Sequence, residues 1–182
     1  MKRITAIVLF AVMAALLCAC SAASKPEFDK DGWRVPLDSA VTLTHEFDEA
    51  LLDKIVPKSE TEYYVDLFKG KGEDYIDVLS KEFESIRADY AERYGDDWTV
   101  SYEVTEVTEK DEEGIRKYKE FDSYFFKTYN INTDDISAVT FVKVRVHIEG
   151  SKGSNDKDKT LQCFCLNGEW YSFYAIRLGV KL

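Results

Sequence analysis

The chain has 182 residues, of which 34 are acidic and 24 basic, and its formal net charge at neutral pH is −10. Such an excess of negative charge repels nucleic acid and anionic lipid headgroups, so neither is an expected partner of the folded surface. The length suits one domain with a full hydrophobic core.

The N-terminal segment has the layout of a secretory signal peptide. Lys2 and Arg3 precede an apolar run that extends to Leu17, and small residues follow it. The sequence Leu17-Cys18-Ala19-Cys20 resembles the cleavage site of bacterial lipoproteins, in which Leu and Ala stand third and first before the modified cysteine. The resemblance implies cleavage before Cys20, a diacylglycerol on its sulfur, and often an acyl chain such as palmitate on the new amino group.

Two other interpretations of this segment stay open, an uncleaved membrane helix over 4–23 and a secreted protein with a coincidental cysteine. We expect the lipoprotein. Its signal peptide spans residues 1–19, a lipidated N-terminus and tether follow over 20–36, and a single domain occupies 37–182. The expected location is the cell membrane, outside the cytoplasm, and the lipid on Cys20 is the one attached group that we expect.

Three helices are predicted before the first strand. Apolar residues recur every four positions over 42–55, and Pro57 ends that helix. A capping-box pattern, S-E-T-E, opens a shorter helix over 59–68. Helical spacing of apolar residues predicts the third helix, which covers 73–94 and ends at Gly95.

The middle of the chain predicts one strand and one more helix. Apolar and polar residues alternate from Trp98 onward, which predicts a strand. The apolar positions switch from even to odd numbers near Thr105–Glu106, and such a switch indicates a β-bulge. An aromatic stripe then predicts an amphipathic helix over 112–129.

The last third predicts a β-meander. Alternating residues form a strand over 141–148, a polar loop is expected over 150–159, and a second strand covers 161–166. Asn167-Gly168 predicts a type I′ hairpin turn, after which a strand returns over 170–177.

The two-residue turn fixes which side chains share a face of the sheet. It sets Cys165 opposite Trp170 and Phe164 opposite Tyr171, and residues directly opposite lie on the same side. One face therefore carries Cys163, Cys165, Trp170, Tyr174 and Ile176. Val144, Val146 and Ile148 complete this core if the preceding strand places its valine face on the same side. The other face mixes aromatic and basic side chains.

That second face is the candidate interface. Its proposed members are Arg145, His147, Phe164, Tyr171 and Phe173. Tyr, Phe and Arg are enriched at protein interfaces, so the face could bind a second copy of the chain or another envelope protein. The alternatives are mutual shielding by cation–π contacts and a curled sheet covered by the chain's own termini.

The sequence indicates no catalytic or metal site. His147 is expected on the opposite side of the sheet from Cys163 and Cys165, and there is no second cysteine pair for zinc. The two cysteines are expected to be buried free thiols.

The order of elements, with the hairpin Gly168-Glu169-Trp170-Tyr171, resembles the cone-shaped domains of the nuclear transport factor two-like superfamily. It is similar to small extracytoplasmic lipoproteins of Gram-positive bacteria that carry such a domain. The resemblance covers about 37–178, and the helix over 112–129 departs from the simplest version. It implies an α+β fold with a curved antiparallel sheet packed on N-terminal helices around a pocket, often dimerising through its open face.

Two functions are compatible with these features. The first is a membrane-anchored, non-catalytic binding or interaction module of the cell envelope. The alternative is an enzyme or small-molecule binder whose cone pocket is lined by the hydroxyl groups of Tyr102, Ser172 and Tyr174. A polar pocket that holds a carboxyl group with a strongly raised pKa would favour the alternative.

Overall fold

Four strands form one antiparallel sheet in which neighbours along the chain are neighbours in space. The α+β class is therefore confirmed. The computed structural model describes residues 29–178. The predicted signal peptide, Cys20 and the first part of the tether lie outside these residues. No helix within 29–178 is both long and apolar enough to cross a membrane.

Six α-helices and four strands make up the described part of the chain. The helices are α1 (Arg34–His45), α2 (Leu52–Ile55), α3 (Lys58–Lys69), α4 (Tyr75–Tyr94), α5 (Glu112–Phe121) and α6 (Ser123–Thr128). The strands are β1 (Thr99–Glu109), β2 (Ile136–Gly150), β3 (Gly153–Leu166) and β4 (Glu169–Tyr171). Short 3₁₀ helices cover Glu49–Leu51, Thr133–Asp135 and Ala175–Arg177.

One face of the sheet packs against the N-terminal helices and forms what we call the main core. The strands contribute the predicted residues Val144, Val146, Ile148, Cys163, Cys165 and Trp170. The helices contribute Leu37, Leu43, Ile55, Phe83 and Tyr90, among others. The face assignment is therefore confirmed for these strand residues, whereas Tyr174, which was expected on the same face, is 45% exposed.

The opposite face is covered at one end by α5 and α6. The covering residues and the sheet residues beneath them form an aromatic cluster, whose buried members are Tyr118, Phe126, Tyr129, Ile136, Val139, Phe164, Tyr171 and Phe173. Every described member of both hydrophobic clusters lies within residues 29–178, so a chain of residues 25–182 contains all of them.

Packing begins upstream of residue 37, inside the segment predicted as a tether. Trp33 is 3% exposed, and α1 begins at Arg34 rather than at residue 42. Pro36 lies in the first turn of α1. A backbone N–H in this turn has no acceptor within the helix, so a proline here removes no helical hydrogen bond. The single helix predicted over 42–55 is wrong because the chain leaves the helix after His45 and Asp48 caps a new turn by accepting from Ala50 N.

The long helix and the first strand agree with their predictions. Helix α4 begins after Asp74, which accepts from the backbone of Ile76, and ends at Gly95 with φ of 104°. The pairing of β1 with β2 shifts register between Val104 and Glu106, where a bulge was expected.

The polar loop expected over 150–159 is instead the first half of β3. Gly150 pairs with Gly153, so only two residues connect β2 to β3. The half-strand lacks apolar residues, but its acidic side chains lie directly opposite basic ones on β2. Asp158 faces Arg145 and Asp156 faces His147, and opposite charges across a ladder stabilise it.

The hairpin turn is confirmed, but the returning strand is shorter than predicted. Asn167 and Gly168 have positive φ of 53° and 91°, as a type I′ turn requires. Strand β4 ends at Tyr171, because the next residue, Ser172, donates its N–H to Ile55 O at 2.8 Å instead of extending the ladder.

The helix predicted over 112–129 is divided in two at Asp122. Helix α5 ends at Phe121, and α6 begins at Ser123. The break lets both segments lie on the aromatic cluster and place Tyr118 and Phe126 over Phe164.

Candidate functional site

The aromatic part of the candidate interface is buried under the chain itself. Phe164, Tyr171 and Phe173 are at most 9% exposed. The rings of Phe164 and Phe173 lie 4.8 Å apart, and Phe126 of α6 packs on both. These three residues therefore do not form a surface for a partner, because α5 and α6 already cover them.

The basic part of the candidate interface faces water as a ladder of ion pairs. Arg145 Nε lies 2.9 Å from Asp158 Oδ1, and His147 Nδ1 lies 2.8 Å from Asp156 Oδ1. Each basic group already has a carboxylate partner across the strand, and exposed pairs of this kind contribute little to stability.

The residues of the predicted pocket are not brought together. The Tyr102 hydroxyl donates to Asp38 Oδ1 at 2.5 Å and so ties β1 to α1. Ser172 is fully buried, whereas Tyr174 is 45% exposed and lies on the other side of the sheet from the main core, with its ring against Phe125. The prediction of a pocket built from these hydroxyl groups is wrong, because the chain turns away from the sheet after Tyr171.

A different cleft lies between α3, α4 and the C-terminal segment. It has a volume of about 280 Å³. Its lining is mostly apolar and aromatic, with Glu60, Glu82, Thr61 and Arg177 as the polar exceptions. A largely apolar cleft with a few polar groups is the usual form of a small-molecule site, and this one is slightly smaller than the usual range of about 300 to 1,000 Å³.

Glu60 lies in this cleft because of where α3 begins. Pro57 precedes the helix, and its carbonyl accepts from Glu60 N at 2.8 Å. No side chain caps the helix, so the predicted capping box does not form. Glu60, Tyr64 and Phe68 are spaced by four residues and all line the cleft, since residues four apart lie on one helix face.

One carboxyl oxygen of Glu60 is buried without a partner. The residue is 9% exposed, and Oε2 has no hydrogen-bond partner within residues 29–178. Burial raises the pKa of this carboxyl group to about 8, because the charged form loses its hydration. Near neutral pH the group is therefore mostly protonated, and a small change in its surroundings shifts its charge.

Aromatic rings fix the walls around this carboxyl group. Tyr64 stacks on Tyr75 with 5.2 Å between ring centroids, and Phe68 lies 5.4 Å from Tyr75. Burial and then the nearby Glu60 raise the pKa of Tyr75 to about 12, so its hydroxyl stays neutral. The cleft thus combines π-faces, apolar surface and one buried carboxyl group.

A second buried carboxyl group, that of Asp122, lies at the break between α5 and α6. It is 1% exposed, and burial raises its pKa. Its neighbours are Tyr118 and the aromatic cluster. Within residues 29–178, no group of three or more His, Cys, Asp or Glu residues is placed to hold a metal ion.

Sequence reasoning missed Glu60, which lies inside the capping-box pattern that Ser59 and Glu62 define. The signal that could have found it is the spacing of Glu60, Tyr64 and Phe68, which puts a carboxyl group on an aromatic helix face. No protein-family model, curated protein or solved structure matches the chain.

Proposed function

We propose that the protein is a lipid-anchored extracytoplasmic binding protein that holds a small molecule in the cleft at Glu60. The observation that carries this proposal is a carboxyl group that is 9% exposed, has an unpartnered Oε2 and lines a cleft of about 280 Å³. Leaving such a group unsatisfied costs about 1 to 3 kcal/mol. A ligand that completes its hydrogen bonding recovers that free energy.

The membrane part of the proposal depends on the N-terminal sequence. Leu17-Cys18-Ala19-Cys20 resembles a lipoprotein cleavage site, and a lipid on Cys20 would tether the domain outside the cytoplasm. We also propose that the fold is a variant of the nuclear transport factor two-like cone, in which α5 and α6 cover part of the face that is open in simpler members. The aromatic half of the predicted interface is covered, so the proposed contacts are the membrane and the ligand.

A second candidate function is catalysis by Glu60 as a general acid or base. A carboxyl group whose pKa is about 8 exchanges its proton near neutral pH, as such catalysis requires. Binding is favoured because the walls of the cleft are predominantly apolar.

The cleft is tested by NMR with a ¹⁵N-labelled chain of residues 25–182 and a library of small fragments. Binding should move the amide signals of Thr61, Tyr75 and Ile176, which line the cleft. The Glu60→Gln variant should bind differently, whereas Glu62→Gln serves as the control because Glu62 is exposed on the same helix. Shifts confined to other surfaces, or none, would contradict the proposal.

The anchor is tested by intact mass measurement of the protein extracted from membranes. The expected species begins at Cys20 and carries lipid. The Cys20→Ala variant should lack the lipid, while Cys18→Ala should keep it because residue 18 is removed with the signal. A chain that retains residues 1–19, or an unmodified Cys20, would overturn this part of the proposal.

A further inference from the structure

The Oε2 atom of Glu60 is buried and has no hydrogen-bond partner among the described residues, and the residue is 9% exposed. When the carboxyl group is ionised this oxygen can only accept, so it then needs a donor. The charged and titratable groups around it are Tyr64 on its own helix, Tyr75 and Glu82 on α4, Tyr129 after α6, and Tyr174 and Arg177 in the C-terminal segment. Tyr64 and Tyr129 already share a hydrogen bond of 3.1 Å.

The walls of the cleft suit a positive charge. Tyr64, Phe68 and Tyr75 all line the cleft, with Tyr64 stacked on Tyr75 at 5.2 Å between centroids and Phe68 tilted against Tyr75 at 5.4 Å. Aromatic rings attract ammonium groups through their quadrupoles. The structure shows one such contact at the edge of the cleft, where Lys71 Nζ lies 4.9 Å from the centroid of Phe68.

The carboxylate form of Glu60 has no cation of its own in the cleft. Glu82 and Arg177, which also line it, are both exposed and carry opposite formal charges, so they offset each other and leave the charge of an ionised Glu60 uncompensated. The whole chain carries a net charge of −10, which concentrates cations near its surface.

We infer that the cleft takes a primary organic ammonium ion on a small apolar body, with an N–H of the ammonium group donated to Glu60 Oε2. This inference rests on the proposed binding function of the same cleft and names its ligand class. The apolar body lies among the side chains of Tyr64, Tyr75 and Phe173. A primary ammonium fits better than a quaternary one, because only the primary ion can donate to the carboxyl group.

Binding of this ligand releases a proton. The free carboxyl group is mostly protonated near neutral pH, since burial raises its pKa to about 8. The ammonium ion binds the carboxylate form, so the carboxyl proton leaves for solvent while the ammonium keeps its own protons. Affinity therefore rises with pH, by at most about tenfold per pH unit below about pH 8.

The test is isothermal titration calorimetry of residues 25–182 with three matched probes. They are 2-phenylethylamine, the neutral 2-phenylethanol and the anionic 3-phenylpropionate. Titrations at about pH 6, 7 and 8, each in two buffers of different ionisation enthalpy, give the number of protons released. We expect the amine to bind most tightly, to tighten as pH rises and to release close to one proton at the lowest pH.

The Glu60→Gln variant should bind the amine more weakly and without that pH dependence, while Glu62→Gln should behave as the wild type. The ammonium inference is wrong if the alcohol or the propionate binds in the cleft at least as tightly as the amine. It is also wrong if the affinity of the wild type for the amine does not change with pH. In either case the proposed binding function stands. If no probe binds and the fragment library also leaves the cleft signals unmoved, both proposals are overturned.

Discussion

The phenolic oxygens of Tyr64 and Tyr129 lie 3.1 Å apart and join α3 to the turn that follows α6. Tyr64 also stacks on Tyr75 across the cleft. The hydrogen bond therefore fixes one wall of the Glu60 cleft to the aromatic cluster on the far side of the sheet.

Removing this hydrogen bond should loosen that wall. Tyr64→Phe keeps the ring but leaves Tyr129 without its partner, so we expect the free energy of unfolding to fall by about 1 kcal/mol. Urea denaturation measures the change. Tyr124→Phe is the matched control, because Tyr124 is 71% exposed and should change stability little. Equal effects of the two substitutions would contradict the role given to Tyr64.

Glu60 makes stability depend on pH in a definite direction. Its pKa is about 8 in the folded protein against 4.5 for a glutamate side chain in water, so its favourable contribution is complete below about pH 4.5 and is lost as pH rises through 8. Glu60→Gln removes this loss. The variant should match the wild type near pH 4 and become more stable than it by at most about 1.4 kcal/mol per pH unit up to pH 8.

Urea denaturation across that pH range measures the difference, with Glu62→Gln as the control. Glu62 is exposed and pairs only loosely with Lys58 at 3.8 Å, so its substitution should leave the pH profile unchanged. A stability difference between Glu60→Gln and wild type that is constant with pH would show that Glu60 ionises normally.

Gly32 allows the start of the domain to pack against the sheet. A Cβ atom at this position would overlap Trp170 Cδ1, whose neighbouring Nε1 donates to Asp29 O at 2.7 Å. Gly32→Ala should therefore cost about 1 to 3 kcal/mol in thermal or urea unfolding. Gly153→Ala is the control, because nothing lies within 4 Å of its added Cβ. Similar effects of both changes would mean that residues 29–33 are not packed as described.

The burial of Phe164 tests whether α5 and α6 cover the sheet. Phe164 is fully buried, so Phe164→Ala should lower the free energy of unfolding by about 3 to 5 kcal/mol. Phe121, at 76% exposure, supplies the control, and Phe121→Ala should change stability by no more than about 0.5 kcal/mol. A mild effect of Phe164→Ala would restore this face as a free surface.

The sequence predicted correctly those elements whose formation depends on residues close together along the chain. The spacing of apolar residues located α4, and Asn167-Gly168 located the turn and the register of Cys165 with Trp170, because such a turn needs positive φ at both positions. The first half of β3 was missed since it carries no apolar residues and is held by its backbone ladder with β2, where acidic residues lie opposite basic ones, and a single segment does not reveal such a partner.

The position and accessibility of the candidate site residues depend on tertiary contacts, which the sequence alone did not reveal. Phe164 and Tyr171 shared the expected face, but their accessibility depended on a helix break at Asp122 that folds α5 and α6 over them. Glu60 lay between the two residues of a predicted capping box, Ser59 and Glu62, and only the packing of α3 against α4 turned its side chain into the cleft.

The most direct test of the account is the titration of Glu60 itself, followed through its side-chain carboxyl carbon by ¹³C NMR in residues 25–182. The account predicts a midpoint near pH 8 in the free protein, and a lower midpoint when 2-phenylethylamine is bound. A midpoint near 4.5 that the amine leaves unchanged would contradict it, because Glu60 would then be neither buried nor the ligand's partner.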